Sequence, residues 1–317
     1  MRHGVPGPAN LRASLSIGSL APPAVIAEDD FGPDDFGQAI DWKGSPVKCR
    51  ECDHQAINAM GLCAKGKACI RDRRARRVER FLQENPGLAD QYLDHPYFEV
   101  RAGAARHANL FLLPPLLKDP EAEVRAMATL RLPEEKIRKM IEDEDVDVRI
   151  AAASRLQGRD LLPAMGDNEY MVRITAVRRM PPELLPLVRH DPDAEVRAWV
   201  ARRIDKPALP DMGFDPDPSV RRIVAERLPL PQLAMLIADS DAGVRLIVAE
   251  RIAEEELEPL LDDPEEPIRD IARQRIGQVE SLHYLLEPGR RVVAFPAPDA
   301  DAEAPSRSPN PDEETNP

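Results

Sequence analysis

The chain is expected to fold as an all-α solenoid of short helices, and three features point there. A Val-Arg or Ile-Arg dipeptide recurs at Val100, Val124, Val148, Val172, Val196, Val220, Val244 and Ile268, always 24 residues apart. Of 317 residues, 33 are proline and 43% are apolar, which forbids long helices and central strands yet still supplies a core. No stretch of the repeats alternates apolar and polar residues with period two, so strands are not expected. Aromatic residues make up only 4%, so the core must be built from Leu, Ile, Val and Ala.

Eight repeats fill residues 95–286 without an insertion. Five positions before each dipeptide stands His95, Asp119, Asp143, Asp167, Asp191, Asp215, Asp239 or Asp263, often followed by proline. Asp is a preferred helix N-cap and Pro is tolerated at the first helical position, so a helix is expected to open there. A small residue recurs inside it (Ala104, Ala128, Ala152, Ala176, Val200, Val224, Val248, Ala272), which lets neighbouring helices approach closely. The second element of each repeat is shorter. It is anchored at Leu113, Ile137, Leu161, Leu185, Leu209, Leu233 and Leu257, and a second apolar residue usually follows three positions later. Spacing of three in so short a piece suits a 3₁₀ turn. One such repeat cannot bury its apolar face alone, but a stack of them can.

Two further columns accompany the repeats. The Val-Arg arginine is one; His107, Arg131, Arg155, Arg179, Arg203, Arg227, Arg251 and Arg275 form the other. One of them is expected to pair with the Asp column. The first repeat replaces Asp by His95 and Arg by His107 together, which points to the Asp119 and Arg131 columns as the partners. An Arg203→Ala change is then expected to lower the melting temperature.

The flanks differ in character. Residues 1–40 and 287–317 are rich in Pro and acidic side chains and read as disordered tails around a 41–94 module and the 95–286 repeats. The net charge is −13, which argues against a protein whose main task is to coat nucleic acid. Residues 65–80 go the other way, with Lys65, Lys67, Arg71, Arg73, Arg74, Arg76, Arg77 and Arg80 against Asp72 and Glu79. The functional reading of this run is an anionic partner, nucleic acid included. The plainer one is a solvated helix face, favoured because no aromatic stacking platform accompanies it. No apolar run is long enough to span a bilayer. The uncharged residues 13–27 are interrupted by Pro22 and Pro23, so cytosol is preferred over export.

All four cysteines fall in one cluster, Cys49-x2-Cys52-x10-Cys63-x5-Cys69. Such clustering indicates one metal site rather than a disulfide framework. A Cys-x2-Cys pair puts two thiolates on one turn, and two more nearby complete a tetrahedral zinc site or the corners of an iron–sulfur cluster. Spacing leaves both open, with zinc ahead on frequency. His54 is read as a surface histidine, and the other histidines (His3, His95, His107, His190, His283) as scattered surface or inter-repeat residues.

The Cys₄ knot, then "ARRVERFL", then "HPYFEVRAGAARHANLFLLPPLLKDPEAEVRAMA" running into the 24-residue repeats, resembles the leucine-rich repeat variant (LRV) family over residues 41–286. It is most similar to the iron–sulfur members found beside nitrogen-fixation genes. The resemblance implies a right-handed superhelix of alternating α- and 3₁₀-helices. It also implies an N-terminal module holding a [4Fe–4S] cluster on Cys49, Cys52, Cys63 and Cys69, which reverses the preference for zinc. Four thiolate ligands leave no open coordination position, so electron transfer, redox sensing or structural capping is expected rather than substrate chemistry. No phosphate loop, Ser/His/Asp set or Cys-x3-Cys-x2-Cys motif is present, so no enzymatic activity is expected. What remains is a cytoplasmic scaffold for an unidentified protein partner, with a nucleic-acid regulator or an electron-donating subunit as alternatives.

Overall fold

The structure is a computed structural model that describes residues 39–286. The tails expected at 1–40 and 287–317 fall outside the described residues, apart from residues 39 and 40. The chain divides into two compact units, Met1–Pro181 and Pro182–Pro317. Among the described residues the secondary structure is helical throughout, with three isolated bridges and no strand.

The first unit opens with the cysteine-bearing segment and two helices, α1 (Gln55–Ala59) and α2 (Ala75–Glu84). Four repeat helices follow: α3 (Phe98–His107), α4 (Ala122–Arg131), α5 (Val146–Arg155) and α6 (Tyr170–Val177). The second unit carries α7 (Ala194–Arg203), α8 (Pro218–Arg227), α9 (Ala242–Arg251) and α10 (Glu266–Leu286). Between successive repeat helices the chain runs through 3₁₀ turns such as Pro114–Lys118, Pro163–Gly166, Pro210–Met212 and Glu258–Asp262. The alternation of α and 3₁₀ layers is the one the spacing predicts through Glu258–Asp262, although Glu134–Ile137 and Leu230–Leu233 open their second elements with an α turn and the last repeat runs on as the 21-residue helix α10 without a 3₁₀ step.

The core follows the same register. Leu113, Ile137, Leu161, Leu185, Leu209, Leu233 and Leu257 are all fully buried, and so are all eight small residues of the Ala128 column. Small side chains on one helix face allow close helix approach, and the 3₁₀ leucines fill the other side of each layer. At the first repeat this column logic meets α2. Gly103 stands where later repeats carry Met127, Ala151, Thr175 or Trp199. A Cβ there would sit 3.0 Å from Leu82 Cδ1 of α2, so the glycine makes room for the module's helix.

Two expectations are corrected. The Asp column does not cap the repeat helices. Its backbone closes the preceding 3₁₀ turn, as Asp119 N does onto Leu116 O at 3.1 Å. Its carboxylate accepts from the backbone two residues on, as Asp119 does from Glu121 N at 3.0 Å. The N-cap lies two residues further on, and Asp145, Asp193, Asp217 and Asp241 accept there from first-turn N–H groups.

The Asp119 and Arg131 columns are also not partners. The Val-Arg arginine of one repeat grips the Asp of the next with a two-pronged fork. Arg125 gives Nε to Asp143 Oδ2 at 2.9 Å and Nη2 to Oδ1 at 2.8 Å, while its Nη1 donates back to Asp119 O at 3.0 Å. The pattern repeats at Arg101–Asp119 and Arg149–Asp167, and in the second unit at Arg197–Asp215, Arg221–Asp239 and Arg245–Asp263. The Arg131 column serves the opposite helix end. Arg131 Nη1 donates to Ala105 O and Ala108 O, at 2.8 and 2.6 Å, the unsatisfied carbonyls closing the preceding helix. A ten-residue helix is about 15 Å long, so its last-turn arginine cannot reach the Asp beside its own or its neighbour's first turn.

Candidate metal centre

The 3₁₀ turn Cys49–Glu51 closes with Cys52 N on Cys49 O at 3.3 Å, which folds the first two cysteines onto one turn. The chain then crosses α1 and turns back at Gly61, whose φ of +77° is left-handed. Asn58 and Asn85 pin the return: their side-chain amides donate to Cys63 O at 2.5 Å and Leu62 O at 2.8 Å. A second left-handed glycine, Gly66 at φ +80°, sits in the turn bridged by Ala64 and Ala68, and this turn delivers Cys69. Cys63 and Cys69 are buried; Cys49 and Cys52 are half-buried, and none forms a disulfide.

The four thiols sense one another. Burial pushes Cys63 up to about 12, and the negative charges of Cys69, Cys52 and Cys49 add to it. Burial also raises Cys69, against a backbone hydrogen bond from Arg71 that favours its thiolate. Deprotonated together the four thiolates would repel one another, and a bound positive centre would remove that repulsion. Among the described residues no three His, Cys, Asp or Glu side chains close tightly enough to hold one metal ion. Four thiolate donors suit an iron–sulfur cluster as they suit zinc.

Rings line the junction between this site and the first repeat. Tyr92 is raised to about 12 by burial, with the charges of Cys52, Asp53, Cys63 and Cys69 adding to it. Its hydroxyl hydrogen-bonds His54 Nε2. His54 is thus half-buried, not a surface residue, and burial lowers its pKa. Phe81, His95, Trp42 and Tyr97 continue the cluster, with Trp42 stacked on Tyr97 at 6.2 Å between centroids. These ring partners went unnoticed in the sequence. The signal was there: Trp42, Phe81, Tyr92, Tyr97 and Phe98 concentrate in one stretch of a chain that is 4% aromatic.

The basic run does not form one face. Lys65, Lys67, Arg71, Arg73 and Arg76 are exposed, and Arg74 and Arg80 are half-buried. Arg77 is corrected from the anion-binding set. It is 4% exposed and bound to the buried Asp72 at 2.8 Å, because α2 turns this side chain into the module's core. His107 also has a structural partner, Glu79 of α2, at 3.0 Å. His3 lies outside the described residues.

Fold and site together define a helical repeat protein with an N-terminal thiolate module. Residues 39–91, which contain all four cysteines, match the LRV protein FeS4 cluster family. That family binds a [4Fe–4S] cluster, so the cofactor of the module is a [4Fe–4S] cluster. The solved structure of a leucine-rich repeat variant with a novel repetitive motif aligns at 38% identity and a TM-score of 0.68, covering 72% of this chain and 98% of that one. The chain belongs to the leucine-rich repeat variant family. It is also 48% identical over 82 residues to an uncharacterized 27.7 kDa protein in the nifB 3′ region of Rhodobacter capsulatus. That match spans 26% of this chain and about a third (34%) of the length of the relative. An engineered protein is far more distant, at 14% identity and a TM-score of 0.34 over 65% of this chain and 84% of that one.

Proposed function

We propose that this chain is a non-enzymatic cytoplasmic scaffold in which Cys49, Cys52, Cys63 and Cys69 hold the cluster and the repeats bind a protein partner. The observation that carries this reading is that residues 39–91, which contain all four cysteines, match the LRV protein FeS4 cluster family. With every corner ligated by thiolate, the cluster supplies one-electron redox chemistry or structural cross-linking and no substrate site. The chain's own residues position and shield it. Asn58 and Asn85 fix the Cys63 turn, Tyr92 and His54 are tied to each other by a hydrogen bond, and the Arg71 N–H steadies the Cys69 sulfur. A link to nitrogen fixation is supported by the Rhodobacter relative, named for its place beside nifB. No helix among the described residues is long and apolar enough to cross a membrane.

Anaerobic purification with iron, sulfide and zinc analysis and electron paramagnetic resonance tests the assignment. About four irons and four sulfides per chain are expected. One zinc per chain without sulfide would overturn it.

A further inference from the structure

We propose that the second unit carries a docking site for a partner protein, centred on Phe214, and that its ligand is a peptide segment with a cationic side chain beside an apolar one. The proposal rests on the scaffold reading above and gives it a place and a partner chemistry. Phe214 is 76% exposed and stands where the neighbouring repeats carry His190 and Ala238. Its backbone is held on both flanks, by Gly213 N on Pro210 O at 2.9 Å and by Asp215 N on Met212 O at 3.2 Å. A large ring is thus presented to solvent from a fixed turn.

Phe214 and Asp215 line two cavities at once. One, of about 220 Å³, is completed by Arg189, His190, Asp211 and Met212 among others. The second, of about 310 Å³, is completed by Gly213, Met235, Leu236, Ala238 and the Arg221–Asp239 rung. Such volumes lie at or below the lower end of the roughly 300–1,000 Å³ of small-molecule pockets, which suits single side chains rather than a cofactor. Gly213 shapes the second cavity. A Cβ there would stand 2.8 Å from Met235 Cε and 3.1 Å from Pro210 O, so glycine leaves Met235 its place in the wall.

The charges select the ligand. Every arginine on these walls is engaged. Arg197 and Arg221 grip Asp215 and Asp239 in the rungs, and Arg189 donates to Asp211 Oδ2 at 2.8 Å and to His190 Nε2 at 3.1 Å. An acidic ligand therefore finds no unpaired cation there. Asp211 differs: its side chain is 61% exposed, and its Oδ1 has no partner among the described residues. The wider field is negative, with 22 acidic against 13 basic side chains over residues 182–286. An aromatic face adds its own preference, because its quadrupole attracts a cation. A guanidinium or ammonium group can thus lay its aliphatic stem on Phe214 and turn its charge to Asp211, which shares a cavity with the ring. The adjoining apolar residue of the same segment fills the cavity of Met235, Leu236 and Ala238.

The test pans the full chain, purified anaerobically with its cluster, against a displayed library of random heptapeptides. The recovered peptides are then titrated onto the parent and three variants. They should carry Arg or Lys beside Leu, Ile, Val or Met. Phe214→Leu should weaken them about two- to fivefold, the loss of an exposed cation–π contact, and Phe214→Ala at least about tenfold. Asp211→Asn should weaken them by up to about fivefold and flatten the salt dependence. Because Phe214 is exposed, neither change at it should move the melting temperature; a fall would show a ring that packs within the chain and overturn the proposal. Recovered peptides that are acidic, or that bind Phe214→Ala as tightly as the parent, overturn this site and leave the scaffold reading standing. An empty selection overturns both. Concentration-dependent dimerisation abolished by Phe214→Ala would put a second copy on the ring and equally refute the assignment.

Discussion

Removing one side of an Arg–Asp rung is predicted to cost far more than removing an arginine of the second column. In Arg221→Ala the guanidinium disappears from a pair whose side chains are 11% and 5% exposed. Two short bonds to Asp239 go with it, Nε–Oδ2 at 2.7 Å and Nη2–Oδ1 at 2.8 Å, and so does the donation to Asp215 O at 2.8 Å. What remains is a buried carboxylate without its counter-charge. Orphaning one partner of a buried pair costs about 3–5 kcal/mol. At about 2–4 °C per kcal/mol for a chain of this size, the melting temperature should fall by about 6–20 °C. Arg227→Ala is the control. It removes donations to Ala201 O at 2.5 Å and Ile204 O at 2.9 Å, strands no charge, and should cost about 1–3 kcal/mol. Replacing both rung partners, as in R221M/D239L, should recover most of the loss, because two apolar side chains need no counter-charge. Urea unfolding followed by circular dichroism gives all four values. The rung argument fails if R227A costs as much as R221A, or if the double variant is no more stable than R221A.

Three more outcomes are expected. Cys63→Ser should abolish the visible absorption and the bound iron while leaving the helical signal of residues 182–286 in place; retained iron–sulfur absorption would remove Cys63 from the ligand set. Acid should destabilise the repeats in a defined window. Arg245 holds Asp263 below the usual carboxylate range, and at Asp119, Asp167 and Asp239 burial pushes upward but the arginine bonds outweigh it. Depressed folded values mean that this stabilisation is complete above the unfolded pKa of about 3.9 and is lost as pH falls through the folded values. The melting temperature should thus hold steady from pH 8 to about 5 and drop below about 4; a fall confined to pH 7–5 would implicate histidines instead. Gly103→Val should force Leu82 aside, with a Cβ already 3.0 Å from it and two methyls beyond, and cost about 1–3 kcal/mol. An unchanged denaturation midpoint would show that α2 and α3 are not tightly packed there.

The phase of the fold was legible in the sequence because it rests on single-residue properties. Leu113-type anchors and Ala128-type small residues are apolar at fixed intervals, and burial of apolar area is indifferent to direction. Pairing was not legible, because it depends on which way a side chain points. Arg125 and Arg131 are six residues apart, more than one and a half helical turns, so they leave the helix at different heights and on different sides. Only the three-dimensional stack shows that the first reaches forward to Asp143 and the second backward to the carbonyls of Ala105 and Ala108. The same limit explains Arg77. Its neighbours Arg73 and Arg76 are exposed, and nothing in a run of basic letters marks the one that α2 turns inward onto Asp72. The cysteine cluster was legible because four thiols at short separations suit few purposes, whereas the rings show in the sequence only as a local excess of aromatic residues between Trp42 and Phe98, with nothing to say which of them touch.

The paired histidines of the first repeat take on a different meaning from this geometry. His95 and His107 do not vary together because they touch; each occupies a position that elsewhere faces a preceding repeat. At His95 a later repeat would present Asp to the fork of the repeat before it, whereas here the corresponding arginine of α2, Arg77, is engaged by Asp72. An Asp without an arginine would be a half-buried charge lacking its counter-ion. A ring whose neutral form is favoured by burial, set against Trp42 and Tyr92, avoids that cost. At His107 a later repeat would present Arg to the carbonyl end of the previous helix. Here the neighbour is α2, which offers the Glu79 carboxylate, and a shorter side chain reaches it at 3.0 Å. With Gly103 clearing space for Leu82, three substitutions in one repeat all answer to the same fact: its neighbour is the cysteine module. The module is thus a fitted end-piece of the stack, and loss of its cluster should be felt first at α2 and α3.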